Sequence, residues 1–132
     1  MNQMIINEKY PVFVLDVLKT ETTYTNVVDI LKFFKSRIEE HPVCKYIGEF
    51  DHYEHTKSVN GEINPDIKDC QLIMFCFGSK LPNGKITAAR PRSISVTEYE
   101  DKFEIAFLEA PAAIANEVME SWIKDLKTHL ND

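Results

Sequence analysis

The run Asp51-His52-Tyr53-Glu54-His55 places two imidazoles and two carboxylates within a few residues of each other. Imidazole and carboxylate together suit zinc or iron, so His52, His55, Asp51 and Glu54 form a candidate metal set. The spacing of His52 and His55 works on a helix, where residues three apart share a face. On a strand it sends them to opposite faces. They therefore converge only where a strand bends or ends by Tyr53, and Cys44 or Cys76 from neighbouring strands could then complete the set. His52 alone is also a candidate acid–base group, with Tyr46 or a carboxylate fixing its tautomer. The competing assignment for His52 is a hydrogen-bonded residue at a strand end, and no nucleophile stands at a recognisable spacing from it.

A second cluster lies further on. Lys80, Lys85, Arg90 and Arg92 fall between Ser79 and Ser93 with no carboxylate among them. In extended chain Arg90 and Arg92 point the same way, and paired guanidinium donors grip a carboxylate or a phosphate. The Pro82-Asn83-Gly84 turn reads as a hairpin tip, and no glycine pattern matches a phosphate loop. The competing assignment is a solvated loop whose cations pair with surface acids or with a dimer partner. Cys44, Cys70 and Cys76 include no Cys-x-x-Cys pair, which leaves zinc-ribbon and thioredoxin-like chemistry unsupported. Cys76 sits among Met74, Phe75 and Phe77, where desolvation raises a thiol pKa and leaves it inert. His41 and His129 read as helix-end capping residues.

These groups need elements to position them. Tyr10 to Leu18 is β-branched and aromatic, a strand apolar on both faces, with Pro11 at its start. A helix follows, capped by Thr25 or Asn26, with Val27, Ile30, Leu31, Phe34 and Ile38 on one stripe, and Pro42 stops it. Val43 to Tyr53 reads as a strand with Cys44, Tyr46, Gly48, Phe50 and His52 on its core face. Residues 54–69 form a polar loop with Asn60-Gly61 and Asn64-Pro65 turns. Cys70 to Phe77, the most apolar segment, belongs centrally in the sheet. Alternating strands at 93–97 and 103–107 follow, and Pro111 opens a last helix whose stripe is Ile114, Ala115, Val118, Met119, Trp122, Leu126 and Leu130.

The expected fold class is α+β, a single domain over 1–132: an antiparallel five-stranded sheet with two helices on one face. Two helices leave the other face of doubly apolar strands bare, so a homodimer through the helix-free sheet face is expected. The chain has 132 residues and a formal charge of −6, which opposes non-specific nucleic-acid binding. No apolar run approaches the roughly 20 residues that cross a bilayer, and the first residues lack an apolar signal core, so a cytoplasmic location is expected.

With its elements in this order, the chain resembles the β-α-β(4)-α arrangement of one repeat of the TATA-binding-protein fold. The passages His41-Pro-Val-Cys-Lys-Tyr-Ile-Gly-Glu-Phe-Asp-His-Tyr-Glu-His55 and Arg90-Pro-Arg-Ser-Ile-Ser-Val96 resemble a short uncharacterised bacterial family, a domain of unknown function. The resemblance implies a cytoplasmic bacterial protein with no assigned activity, and DNA binding does not transfer with a fold. The leading expectation is a non-catalytic binding or regulatory protein. Its ligand, a small anionic metabolite, would lie between His52 and Arg90/Arg92, with Tyr46 and Lys85 near by. The alternative is a metal protein or enzyme using His52, His55 and a carboxylate. A purely structural, partner-binding dimer is a third class. No cofactor is identified.

Overall fold

The computed structural model describes residues 1–128, so His129 and Leu130 lie outside the described residues. The chain is α+β. Six strands form one antiparallel sheet in the order β1-β2-β6-β5-β4-β3. They are β1 (Asn2–Ile6), β2 (Tyr10–Leu18), β3 (Cys44–Asp51), β4 (Asp69–Phe77), β5 (Arg92–Glu98) and β6 (Lys102–Leu108). The helices are α1 (Val27–Glu40), α2 (His52–Ser58) and α3 (Ala113–Lys124).

One strand more is present than the expected five. Met4, Ile5 and Ile6 stand between polar residues and carry little signal alone, yet they pair with Val12, Pro11 and Tyr10 through a tight reversal. Asn7 and Glu8 both take left-handed backbone angles there (φ 51° and 59°), the geometry that matches the twist of a hairpin.

α1 begins where Asn26 Oδ1 accepts the Asp29 backbone N–H at 2.8 Å, and it buries Val27, Ile30, Leu31, Phe34 and Ile38 as the periodicity predicts. It packs on β3, β4 and β5. α3 lies against the same core through Ala115, Met119, Trp122 and Ile123, with the Trp122 ring 5.8 Å from Phe75. Pro111 does not open α3; the helix starts at Ala113 and its N-cap, Ala112, has no side-chain bond to offer.

β3 departs most from simple alternation. Tyr46 pairs with Phe75 and Gly48 with Met74, so Ile47 is an extra residue in a bulge. One inserted residue reverses the faces beyond it. Cys44 and Tyr46 therefore pack against the helix-side core, while Gly48 and Phe50 join Met74 and Leu72 on the opposite face. The single face expected for Cys44, Tyr46, Gly48, Phe50 and His52 is split in two.

The strand ends at Asp51, whose side chain accepts the Glu54 N–H at 2.9 Å and starts α2 inside what the sequence presents as loop. The His52 and His55 rings lie 4.8 and 5.3 Å from Phe50, so α2 shelters the outer corner of β3. The rest of the helix-free face mixes characters. One row across all six strands reads Asn2, Val14, Ala106, Ser95, Leu72 and Phe50, and the next holds Asp16, Glu104, Thr97 and Cys70. No helix among the described residues is long and apolar enough to cross a membrane.

Phe34 is fully buried at the centre of the α1 stripe. In urea denaturation, Phe34→Ala is expected to cost about 3–5 kcal/mol, against about 1 kcal/mol for loss of the cap in Asn26→Ala. Equal losses would show that α1 is not anchored through Phe34.

Candidate functional site

A concavity of about 450 Å³ opens at the end of the sheet where β4 finishes and β5 begins, on the helix side. Such a volume is typical of small-molecule sites. Phe77 and Arg92 supply its sheet side, and His41 and Val43 enter from the α1–β3 connection. Ala110, Ile114, Ala115 and Val118 form the wall on the α3 side. The connection from β4 to β5 closes the top, where a 3-10 turn over Gly84–Ala89 contributes Ile86 and Ala89. This turn replaces the expected hairpin tip, because Asn83 Oδ1 accepts the N–H groups of Lys85 and Ile86 and winds the chain.

Arg92 is the unusual member. It is only 7% exposed, a charged residue buried in a mostly apolar setting. Its Nη1 donates to Ala89 O at 3.1 Å and its Nη2 to Leu108 O, which staples the 3-10 turn to the end of β6. Its Nε–H, also buried, has no partner. Among the described residues no carboxylate pairs with it, and no acidic side chain lines the cavity. Burial lowers its pKa, but a guanidinium starts so high that it remains charged at neutral pH.

Three further features add to the positive side. Arg90 Nη1 donates to Lys80 O at 2.8 Å, which holds the guanidinium over Gly78. Lys80 also lines the cavity. The first turn of α3 has neither a capping side chain nor an acidic residue, so its uncompensated N–H groups and dipole favour an anion nearby. Asn116 fixes the approach to that helix, since its side chain both accepts from Ala110 N (2.7 Å) and donates to Ala110 O (3.1 Å). His41 Nδ1 accepts the Val43 N–H at 3.3 Å, which leaves the other ring nitrogen as the donor of the neutral imidazole.

The residues singled out in the sequence do not gather at one place. Arg90 and Arg92 share this cavity. His52 lines a separate recess of about 160 Å³ with Tyr53, Thr56, Glu62 and Cys70, so the expected site between His52 and the two arginines is not formed. Tyr46 lies under the Lys35 ammonium, 4.5 Å from the ring centre, beside Glu39 and Cys44. Lys85 is exposed and is not part of the cavity wall. The metal set is not assembled either. Asp51 caps α2, Glu54 lies 3.7 Å from Lys57, and the His52 and His55 rings pack tilted and edge-on against Phe50. Among the described residues no three His, Cys, Asp or Glu side chains converge. Burial, with Cys76 near by, pushes the Cys44 thiol up to about 11, so it stays protonated and unreactive at neutral pH.

His41, Ile86, Ile114 and Val118 join the site without having been singled out as such. Ile114 and Val118 read as core from their helical spacing, but Ile114 is 58% exposed at the cavity rim. Large apolar side chains on a first turn that carries no acid are the signal that was available.

Gly78 has φ +136°, and a Cβ there would stand 2.6 Å from Arg90 Nη2. Gly78→Ala is therefore expected to cost about 1–3 kcal/mol in urea denaturation. Adding Arg90→Ala should return the steric part and leave the backbone strain. A single variant as stable as the parent would show that Arg90 does not rest over Gly78.

No curated protein and no solved structure matches the chain. The model of one family does match, over residues 1–128. The chain belongs to that family, DUF6858, a family of unknown function.

Proposed function

We propose that this protein is a non-catalytic binding or regulatory protein whose cavity beside α3 holds a small organic anion, with Arg92 and Arg90 as its head-group donors. The observation that carries the proposal is the buried Arg92 with its unpaired Nε–H in a cavity free of carboxylates. A buried cation without a counter-charge costs several kcal/mol. Stapling Ala89 to Leu108 uses only its Nη groups and gives no reason for a charge with a free edge. An anion entering the cavity would supply the missing counter-charge. In a protein of net charge −6, this local reversal of sign favours a discrete anionic ligand over a nucleic-acid backbone, which needs an extended basic surface.

The experiment is a thermal-shift screen of organic acids on the parent, Arg92→Met and Arg90→Ala. A ligand at a hundredfold excess over its Kd should stabilise the parent by about 2.7 kcal/mol. That shift should largely disappear in both variants. Absence of any shift in the parent, or equal shifts in all three proteins, would defeat the proposal.

We also propose that two copies pair through the helix-free sheet face. Val14, Ala106, Ser95 and Leu72 form a band of small and apolar side chains there, flanked by the exposed Met4, Ile6 and Leu108. Sheet faces stack well on one another, and the polar row with Asp16 and Glu104 limits the contact to one end. Light scattering on a sizing column should give a dimer at micromolar concentration, and Ala106→Arg should give a folded monomer. A monomeric parent would exclude the pairing.

A further inference from the structure

Resting on the reading of this cavity as an anion site, we infer that its ligand is a phosphate monoester of an apolar alcohol. Its doubly charged head lies on the side of the β4–β5 connection and its hydrocarbon body against α3. The head follows from the number and placement of the cations. Arg92, Arg90 and Lys80 all line the cavity and, among the described residues, no carboxylate does. They belong to one segment, the connection from β4 to β5 and the first residue of β5, and the bond from Arg90 Nη1 to Lys80 O holds two of them together. Arg92 is buried, Arg90 half-buried and Lys80 exposed. A single negative charge answers only one of the two sheltered guanidinium groups and leaves the other uncompensated, which is costly. A phosphate monoester carries nearly two charges at neutral pH, enough for both, while the exposed Lys80 is screened by water. The donors agree with the charges. Each guanidinium keeps Nη hydrogens beyond its bonds to backbone carbonyls, and the Ser79 hydroxyl and Lys80 ammonium line the same cavity. A phosphoryl group offers three oxygens to such a set.

The body follows from the opposite wall. Where α3 and its approach line the cavity, the residues are Ala110, Pro111, Ala112, Ile114, Ala115 and Val118, without one polar side chain. Val43, Phe77 and Ile86 extend that apolar surface. The polar side chains of the lining are nearly all donors. His41 belongs with them, because its Nδ1 already takes the Val43 N–H and only its other ring N–H is left to give. Ser79 alone can also accept, so the hydroxyls of a sugar or glycerol body would go largely unpaired. A dicarboxylate would set its second charge along the α3 wall, where no side chain answers it. Inorganic phosphate would leave most of the roughly 450 Å³ unfilled. An alkyl or aryl group fits the wall and gains by leaving water. The exposed Ile114 marks the rim at which that group enters or leaves.

The test is a calorimetric titration of the full chain at neutral pH with octyl phosphate, octyl sulfate, octanoate, suberate, glycerol phosphate and inorganic phosphate. Octyl sulfate has the shape of octyl phosphate and one charge fewer, so octyl phosphate should bind at least about tenfold more tightly than it, and than octanoate. Over inorganic phosphate it should gain about fourfold for each CH₂ that the walls cover. Arg90→Ala and Lys80→Ala replace side chains outside the core. Each should weaken octyl phosphate, and Arg90→Ala should also shrink its lead over octyl sulfate. Octyl sulfate or octanoate binding as tightly as octyl phosphate would overturn the doubly charged head and leave the anion site standing. Glycerol phosphate or inorganic phosphate binding as tightly would overturn the apolar body, and suberate doing so would overturn the placement of both charges at one end. Failure of every anion to bind the parent, or octyl phosphate binding that neither variant weakens, would overturn the class together with the site.

Discussion

A guanidinium taken out of water without an opposing charge is the constraint on which this molecule's functional end depends. Arg92 opens β5 on the face covered by the helices, where its register partner is Phe75. An ordinary sheet end would place an apolar residue there. The surrounding polypeptide answers the cation with backbone alone, Ala89 O on one side and Leu108 O on the other. Those two carbonyls fix the geometry of the charge but do not neutralise it. The neighbouring features point the same way: a helix start with neither cap nor acid, a second arginine held over a glycine, and a lining without a carboxylate. Each would be a local oddity alone. Together they make one corner positive in a protein that is acidic overall.

The architecture explains why that corner is hollow. α1 and α3 share the core face, and α3 begins only at Ala113, past Pro111 and a bonded turn held by Asn116. Ile114, in the first turn of α3, is therefore left exposed at the cavity rim while Ala115 beside it packs into the core. The chain between β4 and β5 arches over the gap and is pinned by Asn83, Arg90 and Arg92. At the opposite end of the sheet the space is filled differently. There the Ile47 bulge turns Phe50 outward, and α2 folds down on it.

Much of this was legible in the amino-acid sequence. The stripe from Val27 to Ile38, the cap at Asn26, the apolar strand ending at Phe77 and the pairing of Arg90 with Arg92 all follow from local periodicity. What local pattern could not supply was any event that changes the period or brings distant segments together. The bulge at Ile47 leaves no mark in composition, yet it splits one expected face into two, and the register that sets Tyr46 level with Phe75 and Arg92 leaves His52 at the far end of β3. α2 hides in a polar stretch because its start depends on a single capping carboxylate, Asp51. β1 is built from residues that pair only because a left-handed turn at Asn7 and Glu8 brings them back on β2. Ile114 and Val118 show the converse: the helical spacing was read correctly, but spacing cannot say whether a stripe meets protein or an opening.

The buried Arg92 cation lacks a counter-charge until an anion enters the cavity, and the resonance of its Nε–H reads that change directly. In a ¹⁵N–¹H correlation spectrum tuned to arginine side chains and assigned with Arg92→Lys, the Arg92 Nε–H should be visible and slow to exchange, as befits a buried group. A saturating organic acid from the thermal-shift screen should move it, as the guanidinium gains a counter-charge. A resonance that stays in place while that acid is bound would contradict the account.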